Sequence, residues 1–249
     1  MRFKIIQKII DRIRGKNIVK TDKWFKNCYK EFKNLDINHR FELNKDDWFP
    51  ILDEHTEITP IEPHYTYHPV WAAQILAKIN PQKHVDISSS LTFCTMISPF
   101  INTEFYDYRP AELDIENLYC GFADLIHLPF ESASIKSLSC MHVIEHIGLG
   151  RYGDAIDPDG DLKAIQELIR VLAYDGDLLF VVPMAEKPKL CFNAHRIYSW
   201  EMIMSYFDSL SLKEFTLIND EGKFIKNATK NDLINQNIAC GCFWFKKIK

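Results

Sequence analysis

Ile135-Lys-Ser-Leu-Ser-Cys-Met-His-Val-Ile-Glu-His-Ile-Gly-Leu-Gly-Arg-Tyr-Gly-Asp154 starts apolar and ends in a cluster of His, Glu, Arg, Tyr and Asp. A core has little use for such an ending, because buried polar groups are costly unless partnered. The change of character predicts a buried strand, Ile135 to Met141, whose last residues emerge at one edge of a central sheet. In open α/β sheets ligands bind beyond the carboxyl ends of the strands.

Working outward, Asp161 to Leu172 is spaced as an amphipathic helix, with Leu162, Ile165, Leu168, Ile169 and Leu172 on one face. Asp175-Gly-Asp177 reads as a tight turn into Leu178-Leu-Phe-Val-Val-Pro183, an apolar run typical of a central parallel strand. Upstream, Val70 to Ile79 reads as a helix, and His84 to Ile87, Thr103 to Tyr108 and Leu118 to Ala123 as strands. Ser88-Ser-Ser90 offers N-cap chemistry to a helix from Leu91. Ser199 to Phe207 is a further helix, and Leu210 to Ile218 and Ile238 to Phe245 are closing antiparallel strands. Alternation of this kind predicts a doubly wound, mostly parallel, seven-stranded α/β sheet over residues 69–249.

The chain has 249 residues, 47% of them apolar, enough for a substantial core. Its net charge of −4 gives no global reason to expect a nucleic-acid partner. Seven scattered cysteines without a C-x-x-C suit reduced thiols and a cytoplasmic setting. No apolar run reaches the 18 residues of a membrane span.

Residues 1–68 read as an extension. Met1 to Lys16 has Phe3, Ile6, Ile9, Ile10 and Ile13 on one helical face and basic residues on the other. It can pack on the domain or lie against the inner face of a membrane. Trp24 to Leu35 is a second helix, and Phe41 to Pro69 reads as irregular, with Pro50, Pro60, Pro63 and Pro69 in it; its Trp48, Phe49, His55, His64, Tyr65, Tyr67 and His68 suit either a packed extension or a wrap over the domain entrance that supplies a lid.

The βα alternation, with Asp107 and Asp124 at strand ends, resembles the class I S-adenosylmethionine-dependent methyltransferases, a Rossmann-like family. The segments HVDISSS, CMHVIEHIGLGRYGDAIDPDGD and CFNAHRIYS also resemble a bacterial family of uncharacterised methyltransferase-like proteins often met among glycan-biosynthesis functions. The resemblance implies that Asp86, Ser88 and Ser89 lie in the first cofactor loop. It implies that Asp107 meets the ribose hydroxyls, and that Asp124 and Leu125 meet adenine. Chemistry agrees, since a diol suits a two-oxygen acceptor. The family's G-x-G-x-G is replaced by Ser88-Ser-Ser90. Glycine permits backbone conformations that serine resists, which bears directly on cofactor binding.

His142-Val-Ile-Glu145-His146 matches the H-x-x-E-H of inverted zinc peptidases, which place it in a long helix. Gly148 and Gly150 cut any helix short, so a metal hydrolase is the weakest reading. The segment also resembles metal-dependent methyltransferases that carry E-x-x-E-H after the fourth strand. That resemblance implies a divalent metal held by His142, Glu145, His146 and His195. Without a metal, His146 or His195 serves as general base and Glu145 orders the loop. Arg151, Tyr152, Asp154, Asp157 and Arg196 are candidate contacts to acceptor hydroxyls or anionic groups, and Asp161 reads as a helix cap. The expected activity is O-methylation of a sugar or other polyol, free or carrier-linked. The alternative is a non-catalytic Rossmann-like module in a glycan-assembly complex.

Overall fold

The computed structural model describes residues 21–249; the basic helix expected over 1–16 lies outside them. The chain divides into two compact units, residues 1–60 and 61–249. In the first, helix α1 (Lys23–Leu35) is capped by Asp22, whose carboxylate accepts from Phe25 N–H at 2.7 Å. Trp48 meets Phe25 and Tyr29 edge-on, and Trp24 stacks on His55.

The second unit opens with helix α2 (Pro63–Ile79), which begins seven residues before the predicted Val70. The prolines that read as breakers are tolerated. Pro63 occupies the first turn, where its missing N–H costs nothing, and Glu62 caps the helix by accepting from Tyr65 N–H at 2.6 Å. Pro69 is carried inside at the cost of one backbone bond. The consequence is functional, because His64, Tyr65 and His68 now sit on a helix.

There follow β1 (Lys83–Ile87), α3 (Leu91–Ile97), β2 (Asn102–Asp107), β3 (Leu118–Phe122) and β4 (Ile135–Met141). Then come a single 3-10 turn (Ile144–His146), α4 (Gly160–Val171), β5 (Leu172–Met184), a small hairpin of β6 (Lys189–Cys191) and β7 (His195–Ile197), α5 (Trp200–Tyr206), β8 (Ser211–Ile218), β9 (Phe224–Ile225) and β10 (Ala239–Lys246). The main sheet has the order β3-β2-β1-β4-β5-β10-β8-β9. The seven expected strands are all present, and the two-residue β9 adds an eighth at the edge. The final strands pair antiparallel as expected, with β9 in the connection between them and β10 lying between β5 and β8.

Each face of the sheet carries its own core, as period-2 alternation requires. Leu178, Phe180 and Val182 of β5 pack with Ala164, Ile165 and Leu168 of α4 and with Ile203 of α5. Leu179 and Val181 face Trp71, Ile75 and Leu76 of α2 and Phe93 of α3. Asp175-Gly-Asp177 is not a turn before a strand. It belongs to a bulge inside β5, between the pairs Ile135–Leu172 and Ser137–Asp177, and Asp175 N–H is tied to Lys247 C=O.

The chain reverses direction across the sheet between β1 and β4, which pair in parallel. That is the topological switch point, where a crevice opens beyond the strand ends. No helix among the described residues is long and apolar enough to cross a membrane.

Candidate functional site

Beneath the crevice lies a buried polar network. The Ser139 hydroxyl donates to the Asp86 carboxylate in a short contact, so its oxygen must accept from His84 Nε2–H at 2.8 Å. That assigns the His84 proton and leaves Nδ1 to accept from Ser137 at 2.7 Å. The other Asp86 oxygen accepts Ser89 N–H at 3.0 Å, and Ser89 Oγ accepts Met141 N–H at 2.8 Å. Burial raises the Asp86 carboxyl to about 6, although its hydrogen bonds pull the other way. Burial alone lowers His84 to about 3. Asp86 was expected to touch a cofactor; it is fully buried and holds the loop from below.

The loop itself settles the missing glycines. Ser88 has φ of +58°, the left-handed conformation that glycine usually supplies. Ser88 N–H donates to Tyr106 C=O at 2.7 Å, and its hydroxyl reaches the same oxygen at 3.2 Å. Serine thus keeps a glycine-type backbone by anchoring it to β2.

Above the loop is a cavity of about 470 Å³, within the range of small-molecule and cofactor sites. Its lining brings together Ser88, Ser89, Asp107, Asp124, Leu125, His142, His146, Arg151, Tyr152, Asp154 and Asp157, as the sequence placed them. Asp107 Oδ1 accepts Arg109 N–H at 2.7 Å, and Asp124 Oδ1 accepts Ile126 N–H at 3.1 Å. Each leaves one carboxylate oxygen outside these turns.

The far wall is the Gly-rich loop after the 3-10 turn. Asp154 staples it, with Oδ2 accepting from Gly148 and Gly150 and Oδ1 from Tyr152. Burial works to raise the Asp154 carboxyl, but these N–H groups outweigh it and hold it below its ordinary value. Asp157 accepts Asp159 N–H and pairs with Lys163. Arg109 and Arg151 lie over the Tyr152 ring at 4.9 and 5.2 Å.

Two residues take other roles. Arg196 donates to Ile147 C=O at 2.6 Å and Pro158 C=O at 3.1 Å, clamping the ends of this loop together rather than lining the cavity. Asp161 makes no cap; it accepts the Tyr198 hydroxyl at 2.9 Å and faces Arg196.

His142, Glu145 and His146 form a tight constellation, set by one 3-10 turn and not by the helix a zinc peptidase would need. Glu145 Oε1 lies 3.0 Å from His142 Nδ1 and 3.7 Å from His146 Nε2. His146 Nδ1 lies 2.7 Å from Ala194 C=O and 3.1 Å from the Arg151 guanidinium, which itself donates to that carbonyl at 2.8 Å, so these two groups orient the ring through Nδ1. Burial, with Arg151 and His195, lowers the His146 pKa below 6.5 against the opposing pull of Glu145 and the Ala194 carbonyl.

His195 comes near, with its ring centroid 6.4 Å from that of His146, but it does not line the cavity. The four donors His142, Glu145, His146 and His195 do not gather as one ligand set. Among the described residues, the group whose donor atoms lie within 4.8 Å of one another is His64, His142 and Cys240. Sequence reasoning named Tyr65 and His68 only within an aromatic and His-rich stretch at the domain entrance and left out Tyr108 and Arg109; all four are in the cavity wall. Tyr65 and His68 share a helical i, i+3 spacing within the stretch read as irregular, and this was the available signal.

Residues 130–236 match a family described as "Caenorhabditis protein of unknown function, DUF268". No curated protein matches. Solved structures share the fold. YcgJ of Bacillus subtilis superposes with a TM-score of 0.51 at 15% identity, over 72% of this chain and 99% of its own. The N-methyltransferase NodS of Bradyrhizobium japonicum WM9, solved with S-adenosyl-L-homocysteine, gives 0.51 at 12% identity, over 75% and 89%. The [4+2]-cyclase SpnF gives 0.52 at 10% identity, over 72% and 81%. The likeness is one of fold, the Rossmann-like methyltransferase sheet. SpnF shows that this fold does not by itself dictate the reaction.

Proposed function

We propose that the chain is an S-adenosylmethionine-dependent O-methyltransferase whose acceptor is a hydroxyl of a sugar or other polyol, in surface-glycan biosynthesis. The observation that carries this reading is one cavity with two unlike walls. One wall holds the glycine-type Ser88 loop, Asp107, Asp124 and Leu125; the other holds His146, Arg151 and Tyr152.

These residues fit the cofactor. The left-handed Ser88 backbone opens the strand-end loop, Asp107 offers an acceptor to a ribose diol, and Asp124 with the Leu125 backbone suits an adenine edge. When bound, the cofactor supplies an electrophilic methyl group. The chain's own work is then orientation and proton removal. His146 Nε2, neutral because burial depresses its pKa, accepts the acceptor's hydroxyl proton. Ala194 C=O holds the opposite nitrogen and keeps the ring aimed. Arg109 and Arg151 beside Tyr152 suit an acceptor that carries phosphate, as a nucleotide- or lipid-linked sugar does. No step is assigned to a metal on His142, Glu145, His146 and His195, whose donors are not gathered.

Calorimetry of the full chain with S-adenosylhomocysteine tests the reading. We expect saturable one-to-one binding, abolished in Asp107→Ala. Absence of heat at millimolar ligand would overturn it.

A further inference from the structure

The donor group outside this mechanism is His64, His142 and Cys240. His64 comes from the first turn of α2, His142 follows the last residue of β4, and Cys240 lies near the start of β10. Three elements distant in sequence thus aim one donor each at a common point. The three donor atoms fall within 4.8 Å of one another, and Cys240 Sγ is 3.3 Å from His142 Nε2. Tetrahedral zinc with bonds of about 2.3 Å to sulfur and 2.0–2.1 Å to nitrogen sets its S and N ligands roughly 3.6 Å apart. The Cys240–His142 spacing is close to that, and the His64 donor lies within 4.8 Å of both. The His64 and His142 rings also lie nearly parallel, 8° apart with centroids at 6.0 Å.

A second observation is independent of the donors. Glu145 is 1% exposed, and its Oε2 has no hydrogen-bond partner. Its Oε1 accepts from His142 Nδ1 at 3.0 Å. A buried carboxylate oxygen without a partner is unusual. A carboxylate behind the distal nitrogen of a histidine is also the usual outer support of a histidine metal ligand, fixing its tautomer and raising its basicity.

We propose that His64, His142 and Cys240 bind a zinc-class divalent ion, with Glu145 orienting His142 from behind. Two imidazoles and a thiolate select zinc over magnesium. Cys242, although its sulfur is 3.9 Å from Cys240, lies outside the donor group. Three protein ligands leave a fourth position, the arrangement of reactive rather than purely structural zinc sites. Of the three ligands, His142 lines the cavity, as do its neighbours Tyr65 and His68, whereas His64 and Cys240 do not. The site takes an oxygen donor at the fourth position, water or an acceptor hydroxyl. The proposal does not depend on methyl transfer, and its test uses no cofactor.

The full reduced chain is titrated with Zn²⁺ against a chromophoric chelator, and separately with Co²⁺ followed by absorbance. We expect one equivalent of each and a sulfur-to-cobalt charge-transfer band. Cys240→Ser should lose the band, whereas Cys191→Ser, an exposed cysteine on the β6–β7 hairpin, should keep it. Glu145→Gln should keep the band but weaken Zn²⁺ binding by about 10–100-fold, the usual effect of removing an outer partner. If Cys240→Ser does not fold by circular dichroism, His64→Ala, altered at a half-buried position, replaces it and should weaken metal binding at least as much as Glu145→Gln. No saturable binding at micromolar metal, or a charge-transfer band that survives in folded Cys240→Ser, would overturn the proposal.

Discussion

Ser88 N–H donates to Tyr106 C=O at 2.7 Å, and this bond holds a serine at φ +58° where the Ser88–Ser90 loop leaves β1. A non-glycine residue in this region costs about 1–2 kcal/mol. Ser88→Gly removes that strain and loses a hydroxyl contact at 3.2 Å. It also frees the unfolded chain, so the net change should stay within about 1 kcal/mol. S-adenosylhomocysteine binding should persist. Ser88→Val places a β-branched side chain at positive φ and should cost about 2–3 kcal/mol and weaken binding. Denaturant midpoints and calorimetry on both variants check this; equal losses in the two would mean that backbone conformation is not what the loop requires.

Asp86 and His84, joined through Ser139, impose opposite pH dependences on stability. The Asp86 carboxyl is raised from 3.8 to about 6, so the folded state holds its proton more tightly than the unfolded state. Its stabilisation is fully present below pH 3.8 and is lost as pH rises through 6. The shift corresponds to about 3 kcal/mol at the usual 1.36 kcal/mol per pH unit. His84 is depressed to about 3, so its contribution is present above pH 6.5 and is lost as pH falls. The two slopes offset each other in the native protein between pH 4 and 6. Asp86→Asn removes one of them. The stability of the native protein minus that of the variant should therefore fall as pH rises from 4 to 7. Urea titrations across that range would show parallel profiles if Asp86 were not protonated preferentially in the fold.

The sheet was legible because its strands are short apolar runs with polar ends, and the run at Leu178 to Pro183 is buried on both faces. The same logic found Asp107 and Asp124, since a carboxylate at a strand end has a fixed direction. It failed where proline and serine acted against their averages. Pro63 and Pro69 read as breakers, yet one starts a helix and the other rides in it, so the shared helix of His64, Tyr65 and His68 was missed although the stretch stood out as aromatic and His-rich. Ser88 read as a restriction on the loop, and the bond to Tyr106 that holds its backbone was not visible in sequence. Cys240 could not be placed beside His142 from spacing, because β10 inserts beside β5 from almost the end of the chain. Arg196 and Asp161 looked like ligand and cap but serve each other and the loop, a pairing set only by tertiary packing.

Gly148 closes the acceptor-side loop at φ +78°, and a Cβ there would meet Asp157 O at 2.0 Å. Backbone cannot yield as a side-chain tip can. Gly148→Ala should cost about 3 kcal/mol, from strain at positive φ and from overpacking together. It should also free the Asp154 staple, whose carboxylate accepts Gly148 N–H at 2.9 Å. Thermal melting and limited proteolysis near Arg151 report the two effects. Native-like protection of the loop in the variant would contradict the close approach of Gly148 and Asp157.

His146 is the cavity residue whose protonation should set the rate. Its Nδ1 is held between Ala194 C=O and the Arg151 guanidinium, its Nε2 lies 3.7 Å from Glu145, and its pKa is lowered mainly by burial. His146→Gln keeps a polar side chain of similar reach but cannot take up a proton at neutral pH. Methyl transfer to whichever sugar in an acceptor panel is labelled should fall by about 10²–10⁴-fold, the range of a lost general base. S-adenosylhomocysteine binding should be unchanged, because the cofactor wall lies on the other side of the cavity. In the native protein, activity should rise with pH and level off below the ordinary imidazole value of 6.5, since the neutral form is the active one. An activity that is indifferent to His146→Gln would move the base elsewhere, and His195, 6.4 Å away ring to ring, is the next group to substitute.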